Sequence, residues 1–445
     1  MKSANTTLTR RDLLKVMGVG TATLALAACA PVGAPAAAPQ GGEAAPSAQK
    51  VTLRLASWDS KNAEPIEADV LAAFAKQFPD IGVTLEFNPD AYDDKLLTSM
   101  AGGTGPDVFM WWNFPGLAAK GGIQDLTDLV SGPSPLDLNI YFKEVLDYNR
   151  FGPGLYGLPK DFTPRAFYFN QTLFDEAGVP YPTADWTTED MLAIAQKLTK
   201  GEGADKQYGV YSFSDTYAQQ GYIWQAGGDY ISPDGKKASG HCDSEATTSV
   251  IDWQAALNLK HGVAPTAQSV ASQQGGADQL FIGGKLGMYD TGRWPQAQFK
   301  KVDGLKFGTV LPPMDAQTKK RVVVLHEAGF CINPASKFKG NEAWELTKFE
   351  SGAEAQTIRT KAGWAVPALP AVVKELNLME DPLEKTWFEA VPFATVPPCF
   401  MRTTQWDSAN SELQNAVDSV FLGKATSAEA MSAAAPIVDG ILAEA

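Results

Sequence analysis

The sequence predicts an α/β protein of two lobes, and three observations carry this prediction. Strand and helix patterns alternate in the order βαβαβ over residues 51–111, which gives parallel strands with helices across both faces of a sheet. A new strand pattern with further helices begins near residue 165. Residues 51–445 are too many for one core, because single hydrophobic cores stop growing at about 250–300 residues.

Residues 1–29 have the pattern of an export signal that is removed from the mature protein. Thr9–Lys15 contains Arg10-Arg11 and resembles the twin-arginine export consensus. The apolar stretch of 13 residues that follows, 16–28, is too short for a spanning helix, which needs about 20. Leu26-Ala27-Ala28-Cys29 resembles a bacterial lipobox, in which the cysteine is lipidated and becomes the mature N-terminus. A plain signal peptide with an incidental cysteine is the alternative.

Residues 30–50 are expected to form a disordered tether, because 15 of these 21 residues are Ala, Pro or Gly and the segment has no periodic pattern of apolar residues. At about 3 Å per extended residue the tether reaches on the order of 60 Å. The leader holds four of the 37 basic and one of the 51 acidic residues, so the remaining chain carries 33 and 50, a net charge of −17. Such a surface repels nucleic acid and anionic lipid headgroups. The body is therefore expected outside the cytoplasm, held to the outer face of the membrane only by lipid at Cys29.

The first half of the body is expected to have strands at 51–56, 83–87 and 107–111 and helices at 64–78 and 92–100. In open sheets of this kind, ligands bind outside the carboxyl ends of the strands. Trp58-Asp59 and Trp111-Trp112-Asn113 stand at two such ends. Neighbouring strand residues point to opposite faces, so one indole should pack under the adjoining helix. We expect Trp111 to face the ligand, with Trp112 close behind.

Four longer segments follow one another in a recognisable order: GPDVFMWWN…LAAKGGIQDLTDLV, GLYGLPKDFTPRAFYFNQTLFDEAGV, LFIGGKLGMYDTGRWP and NEAWELTKFESGAEAQ…AGWAVPA. Together they resemble the family of extracellular solute-binding proteins that feed carbohydrate-importing ABC transporters, the maltose-binding-protein type. The resemblance runs from about residue 51 to the C-terminus.

The resemblance implies a type II periplasmic-binding-protein clamshell, two α/β lobes joined by three hinge crossings. We expect the crossings near residues 158–161, 325–327 and 364–367. The N-terminal lobe would then hold residues 51–160 and 328–365, and the C-terminal lobe residues 161–327 and 366–445. Independently of the resemblance, GLYGLPKDFTP suits a hinge, because its prolines restrict the backbone before a new strand at 165–169. Later helices are expected at 188–200, 244–261, 341–350 and 412–422.

A sugar presents weakly polar C–H faces and arrays of hydroxyl groups, which aromatic rings and charged or amide side chains recognise. Residues of these types near predicted strand ends and crossings are the candidate ligand-binding residues: Trp58, Asp59, Trp111, Trp112, Asn113, Tyr156, Asp161, Arg165, Trp224, Arg293, Trp294, Glu327, Trp364, Arg402 and Trp406.

The segment Gly292-Arg293-Trp294-Pro295 is the strongest candidate in the second lobe. It follows a predicted strand at 285–289, and Pro295 fits the first turn of a helix, where free N–H groups also point. Core packing of Trp294 is the alternative. For Trp224 and Trp406, ligand contact and core packing both stay open. The tryptophans expected in the core are Trp186, Trp253, Trp344 and Trp387.

Enzyme motifs are missing from the sequence, which contains no G-x-S-x-G, no G-x-x-x-x-G-K-[ST] and no H-E-x-x-H. His241, His261 and His326 are scattered, so we expect no catalytic residue, no cofactor and no metal. A glycosidase needs only two carboxylates, so a lipid-anchored carbohydrate-active enzyme stays an alternative, as does a sensing or adhesion clamshell. Besides Cys29, the cysteines are Cys242, Cys331 and Cys399, which form at most one disulfide or remain three buried thiols.

The sequence therefore predicts a monomeric, lipid-anchored receptor that binds a sugar or oligosaccharide in an interlobe cleft and delivers it to ABC transporter permease subunits. The arginines Arg165, Arg293 and Arg402 would also suit a sugar acid or glycerol phosphate, so the identity of the ligand stays open at this point.

Overall fold

The computed structural model describes residues 51–59, 63–271, 276–364 and 366–444. The predicted leader, the predicted lipidation site at Cys29 and the predicted tether lie outside the described residues.

The strands, in chain order, are β1 Val51–Ser57, β2 Ile81–Phe87, β3 Val108–Trp111, β4 Arg150–Phe151, β5 Gly154–Leu155, β6 Leu158–Pro164, β7 Ala166–Asn170, β8 Tyr208–Val210, β9 Leu286–Thr291, β10 Phe307–Val310 and β11 Leu325–Ile332.

The α-helices, in chain order, are α1 Glu64–Gln77, α2 Tyr92–Ala101, α3 Phe114–Ala118, α4 Thr127–Val130, α5 Lys143–Asp147, α6 Gln171–Ala177, α7 Thr188–Leu198, α8 Thr216–Gln225, α9 Glu245–Leu259, α10 Ala267–Ala271, α11 Gly276–Ile282, α12 Gln296–Phe299, α13 Glu342–Glu350, α14 Ala353–Lys361, α15 Pro370–Glu375, α16 Pro382–Ala390, α17 Trp406–Phe421 and α18 Ser427–Leu442.

The first sheet has the strand order β2-β1-β3-β11-β6. Strand β1 pairs in parallel with β2 and with β3, as the βαβαβ pattern predicts. Strand β11 returns from late in the sequence and pairs antiparallel with both β3 and β6. The short strands β4 and β5 form a separate hairpin.

The second sheet has the strand order β10-β7-β9-β8. Strand β7 lies antiparallel to both β10 and β9, and β8 runs parallel to β9. The chain passes from the first sheet to the second between β6 and β7, and it returns between β10 and β11. The first passage, at residue 165, comes after the predicted crossing at 158–161, and the second, at 311–324, comes before the predicted crossing at 325–327; both predicted segments lie within strands of the first sheet.

The C-terminal helices differ most from the prediction. Helix α17 begins at Trp406, six residues before the predicted start at 412. The start was predicted too late because the polar residues that follow Trp406 mask the apolar spacing of the helix in the sequence. That face is formed by Ala409, Leu413, Val417 and Val420, all buried. Helix α18 was not predicted, although Thr426 and Glu429 form a capping box at its start.

The cores contain most of the tryptophans that the sequence places there. Trp186, Trp344 and Trp387 are buried, and Trp253 is half-buried against the ring of Tyr222. The three cysteines of the described chain are buried free thiols, which settles the open alternative between a disulfide and thiols. Among the described residues, no helix combines the length and apolar character that crossing a bilayer requires.

Candidate ligand-binding cavity

A cavity of about 640 Å³ lies where residues from the two sheets meet, and we call it the central cavity. Its volume is within the range of about 300–1,000 Å³ that is typical of small-molecule sites. Nine of the predicted ligand-binding residues line it: Trp58, Asp59, Trp112, Asp161, Arg293, Trp294, Glu327, Trp364 and Trp406.

Eleven further lining residues were not among the predicted ones. They are Met110, Lys160, Phe162, Thr163, Asp215, Tyr217, His326, Ala328, Val366, Phe400 and Asn410. Several carried a signal in the sequence: Lys160 and His326 are neighbours of predicted residues at the expected crossings, and Asp215 is an N-cap before Thr216–Gln225. Phe400 and Asn410 have no such signal, because they reach the cavity through the packing of the C-terminal segment.

The two indoles at the exit of β3 take the opposite places from those predicted. Trp111 is only 2% exposed; it packs with Tyr92 and Phe114, and its indole N–H donates to the Asn113 carbonyl at 2.7 Å. Trp112 lines the central cavity, on the same strand face as Met110. The expectation that Trp111 faces the ligand is therefore corrected in favour of Trp112.

Asn113 is buried beside the cavity and does not line it. Its Oδ1 accepts from the Gly116 N–H and caps α3. Its Nδ2 donates to Asp407 Oδ1 at 2.7 Å, a residue 294 positions later in the chain. Close by, the Trp112 ring meets the Phe400 ring edge-on with centroids 5.4 Å apart. The segment after β3 is thus joined to the start of α17 at the rim of the cavity.

Two predicted arginines are held by carboxylates outside the cavity. Arg165 donates to Asp290 Oδ1 at 2.9 Å and lies over the Phe213 ring. Arg402 donates to both carboxylate oxygens of Asp229, at 2.8 and 3.2 Å.

The other two predicted residues that lie away from the cavity are aromatic. Trp224 is buried on α8 with the guanidinium group of Arg402 over its ring, which decides between core and cleft in favour of the core. The Tyr156 ring lies against Gly154 and packs beside the cluster that contains Trp111. In both cases a strand-end or helix-end position in the sequence did not translate into exposure to the cavity.

A β-bulge supplies the charged floor of the cavity. Ala328 pairs with Asp161 and Gly329 pairs with Pro159, so Lys160 is the extra residue of β6. A bulge turns side chains from their regular alternation, and here both Lys160 and Asp161 reach the cavity. Lys160 Nζ lies 2.9 Å from Asp59 Oδ2 and 3.1 Å from Asp161 Oδ2.

The protonation behaviour of this floor follows from burial and charge together. Burial acts to lower the pKa of Lys160, but the charges of Asp161 and Asp59 outweigh it and leave that pKa raised. Burial also raises the pKa of Asp161, although the neighbouring ammonium group of Lys160 opposes the change. Lys160 is therefore a cation already engaged by two carboxylates.

Glu327 extends from β11 into the cavity wall. Its Oε1 accepts from Asn149 Nδ2 at 2.7 Å. Burial raises the pKa of Glu327 well above the ordinary value for a glutamate; the Asn149 hydrogen bond lowers it and the charge of Asp161 raises it further. The close approach of Asn149 depends on Gly329, where an added Cβ would lie 2.0 Å from Asn149 Oδ1.

Trp294 forms the exposed wall of the cavity after β9 and is 41% exposed. Its ring lies over Gly292, where an added Cβ would be 2.0 Å from Trp294 Cζ3. The adjacent Arg293 is buried and bound bidentately by Glu384, at 2.6 and 2.9 Å. Its backbone N–H donates to Thr163 Oγ1 of β6 at 2.9 Å, which joins the site to the first crossing.

His326 joins two aromatic walls of the cavity. Its ring meets Tyr217 and Trp294 edge-on, with centroids 5.0 and 5.3 Å apart. Burial, and secondly the charge of Arg165, lowers the pKa of His326 to about 3. The imidazole is therefore uncharged at neutral pH and contributes as an aromatic and hydrogen-bonding group.

Comparison with known proteins gives a family match over most of the described chain. A family model described as bacterial extracellular solute-binding protein matches residues 58–357. Among curated relatives, the galactooligosaccharide-binding protein of Bacillus subtilis is 24% identical over 437 residues, which cover 94% of this chain and 94% of that protein.

Solved structures show the same fold. An ABC substrate-binding protein of Listeria monocytogenes in complex with cycloalternan superposes with a TM-score of 0.78 at 24% identity, covering 88% of this chain and 98% of that one. A solute-binding protein of Thermotoga lettingae bound with α-D-tagatose has a TM-score of 0.77 at 22% identity, with 88% and 100% coverage. These similarities confirm the predicted type II periplasmic-binding-protein fold of two α/β lobes.

Proposed function

Because the chain belongs to the family of bacterial extracellular solute-binding proteins, we propose that it binds a sugar or oligosaccharide in the central cavity and delivers it to the permease of an ABC transporter. The observation that carries the proposal is the composition of the cavity wall. Rings from both halves, including Trp112 and Trp294, line the cavity together with carboxylates from both halves, including Asp59 and Asp215.

This wall matches the two surfaces of a sugar. Aromatic rings pack against C–H faces, and carboxylates and amides hydrogen-bond to hydroxyl groups. The relatives named above are described as binding galactooligosaccharides, cycloalternan and tagatose, which supports the same class of ligand here.

The three arginines argue against an anionic ligand such as a sugar acid or a phosphate. Arg293, Arg165 and Arg402 are held by Glu384, Asp290 and Asp229 respectively. A ligand anion would have to compete with these carboxylates, which are already paired with the arginines. A saccharide without negative charge is the better match.

Binding is proposed to close the clamshell. We infer lobes of residues 51–160 plus 328–365 and 161–327 plus 366–445, which bend at the three crossings. The contacts Asn113–Asp407 and Trp112–Phe400 would then form on closure. The ligand favours the closed state because it contacts both lobes only there.

Export and anchoring complete the proposal. We propose that residues 1–29 are a signal peptide, with twin-arginine export, and that the lipidated Cys29 holds a monomeric receptor at the outer face of the membrane. In cells, Cys29→Ser should move the protein from the membrane fraction to the soluble fraction. Continued sedimentation of the Cys29→Ser protein with membranes would contradict the lipid anchor.

A thermal-shift screen of the purified protein tests the ligand class. The panel contains mono-, di- and oligosaccharides, polyols, sugar acids and glycerol phosphate. A ligand at 100 times its Kd stabilises the folded state by about 2.7 kcal/mol. We expect stabilisation by saccharides and none by the anions; stabilisation by anions alone would contradict the proposal. In a separate incubation of the protein with oligosaccharides, formation of hydrolysis products would show that the protein is an enzyme instead.

A further inference from the structure

The charges on the wall of the central cavity are unequal in number. Of the lining residues that the structure describes, four are carboxylic acids, Asp59, Asp161, Asp215 and Glu327, whereas two are cations, Lys160 and Arg293. Arg293 is already neutralised by Glu384, which binds it bidentately. Among these described lining residues, Lys160 is therefore the remaining cation that can balance the charges of the four acids.

Neighbouring cations outside the cavity offset this excess only in part. Arg165 is paired with Asp290, and its charge also interacts favourably with that of Asp215. His326 is uncharged at neutral pH, because burial lowers its pKa to about 3. Lys160 is shared between Asp59 and Asp161.

Glu327 has no cationic partner among the described residues. The contact that the structure gives it is the hydrogen bond from the neutral amide of Asn149 at 2.7 Å. A buried carboxylate without a compensating cation is costly, and burial accordingly raises its pKa. A cation supplied by the ligand would remove that cost.

Aromatic rings line the same cavity as these acids. Tyr217, Trp294, Trp112 and Phe400 line the cavity with them. The faces of aromatic rings attract ammonium groups, and the attraction grows when the cation is desolvated. Acids and rings together therefore form an environment for a positively charged group on a largely apolar, hydroxyl-bearing molecule.

Building on the saccharide-binding function proposed above, we propose that the ligand is an amine-bearing saccharide, whose ammonium group binds at Glu327 and Asp161 in this aromatic-lined cavity. The hydroxyl groups of the same ligand would be hydrogen-bonded by the remaining acids. The excess of acids over cations thus narrows the substrate class from saccharides to amino sugars and amine-linked oligosaccharides.

The test compares ligands that differ only at one substituent. Isothermal titration calorimetry at neutral pH measures binding of glucosamine oligosaccharides, their N-acetylated counterparts and the corresponding glucose oligosaccharides to the purified protein. We expect the free-amine ligand to bind at least tenfold more tightly than either neutral counterpart. Equal or tighter binding of the neutral ligands would overturn the inference and leave saccharide binding intact, whereas no binding of any saccharide would overturn both.

Glu327→Gln tests the assigned contact. The variant keeps the shape and the Asn149 hydrogen bond but cannot carry charge, so it should fold, which its melting temperature checks. We expect the preference for the free-amine ligand over its neutral counterparts to fall at least fivefold. An unaltered preference in a folded Glu327→Gln protein would overturn the role of Glu327, and a fivefold fall in affinity for all ligands alike would do the same.

Discussion

Replacing each of the adjacent tryptophans Trp111 and Trp112 by alanine separates a core role from a binding role. The two side chains leave β3 on opposite faces. Trp111 is buried among Tyr92 and Phe114 with its N–H satisfied, whereas Trp112 lines the central cavity. The structure therefore predicts a loss of stability at one position and a loss of ligand affinity at the other.

The magnitudes follow from burial. Removing a fully buried tryptophan costs about 3–5 kcal/mol of folding free energy. With an unfolding entropy of about 2.1 cal/mol/K per residue, the body unfolds with roughly 0.8 kcal/mol/K, so Trp111→Ala should lower the Tm by about 4–6 °C. Trp112→Ala removes the indole ring that would contact the ligand and that packs on Phe400. The substitution should weaken binding about tenfold, which corresponds to 1.4 kcal/mol.

Scanning calorimetry of the purified variants measures the first effect, and titration calorimetry with the tightest saccharide of the screen measures the second. Trp253→Ala is the matched control, because Trp253 is half-buried like Trp112 but packs at a tilt against Tyr222 away from the cavity. It should leave affinity unchanged. The reasoning would be refuted if Trp111→Ala lost affinity at an unchanged Tm while Trp112→Ala bound normally.

Three further substitutions test other contacts of the site. Gly292→Ala should weaken saccharide binding as much as Trp294→Ala does, because the added methyl group displaces the ring; titration that shows normal binding by Gly292→Ala would contradict this. Asp407→Ala removes the carboxylate that accepts the hydrogen bond from Asn113, and such a bond contributes about 1.5–3 kcal/mol. If this contact forms on closure, the affinity for every saccharide should fall by one common factor. Changes that differ from ligand to ligand would argue against a role in closure. The pKa of Glu327 in the folded protein is raised above the ordinary value of 4.5. Above pH 4.5 the folded protein therefore binds more protons at this residue than the unfolded chain does, and its stability falls as the pH rises. Glu327→Gln should remove this loss and raise the Tm of the ligand-free protein at neutral and higher pH, whereas a lower Tm there would contradict the assignment.

The sequence predicts the three parallel strands of the first sheet, β1, β2 and β3, because their signals are local, whereas β6 and β11 were expected as crossings and not as strands. The alternation in Val51–Ser57 and the apolar spacing in Glu64–Gln77 each specify an element without help from distant residues. The strand exits at Trp58 and Trp112 were also predictable, since ligand sites in such sheets lie at the carboxyl ends of strands.

The orientation of individual side chains was not predictable, because distant packing decides it. Strand alternation leaves two choices for Trp111 and Trp112, and the helices that cover the sheet select one. The partners of the predicted arginines are equally distant: Glu384 lies 91 residues from Arg293, and Asp290 lies 125 residues from Arg165. The β-bulge that places Lys160 in the cavity depends on pairing with β11, which the sequence near Lys160 does not reveal.

A crystal structure of the protein with the saccharide that stabilises it most would show whether the central cavity is the binding site. We expect the sugar in the central cavity, with the rings of Trp112 and Trp294 in van der Waals contact and Glu327 within hydrogen-bond distance. A saccharide bound elsewhere on the protein, with the cavity holding only water, would contradict this expectation.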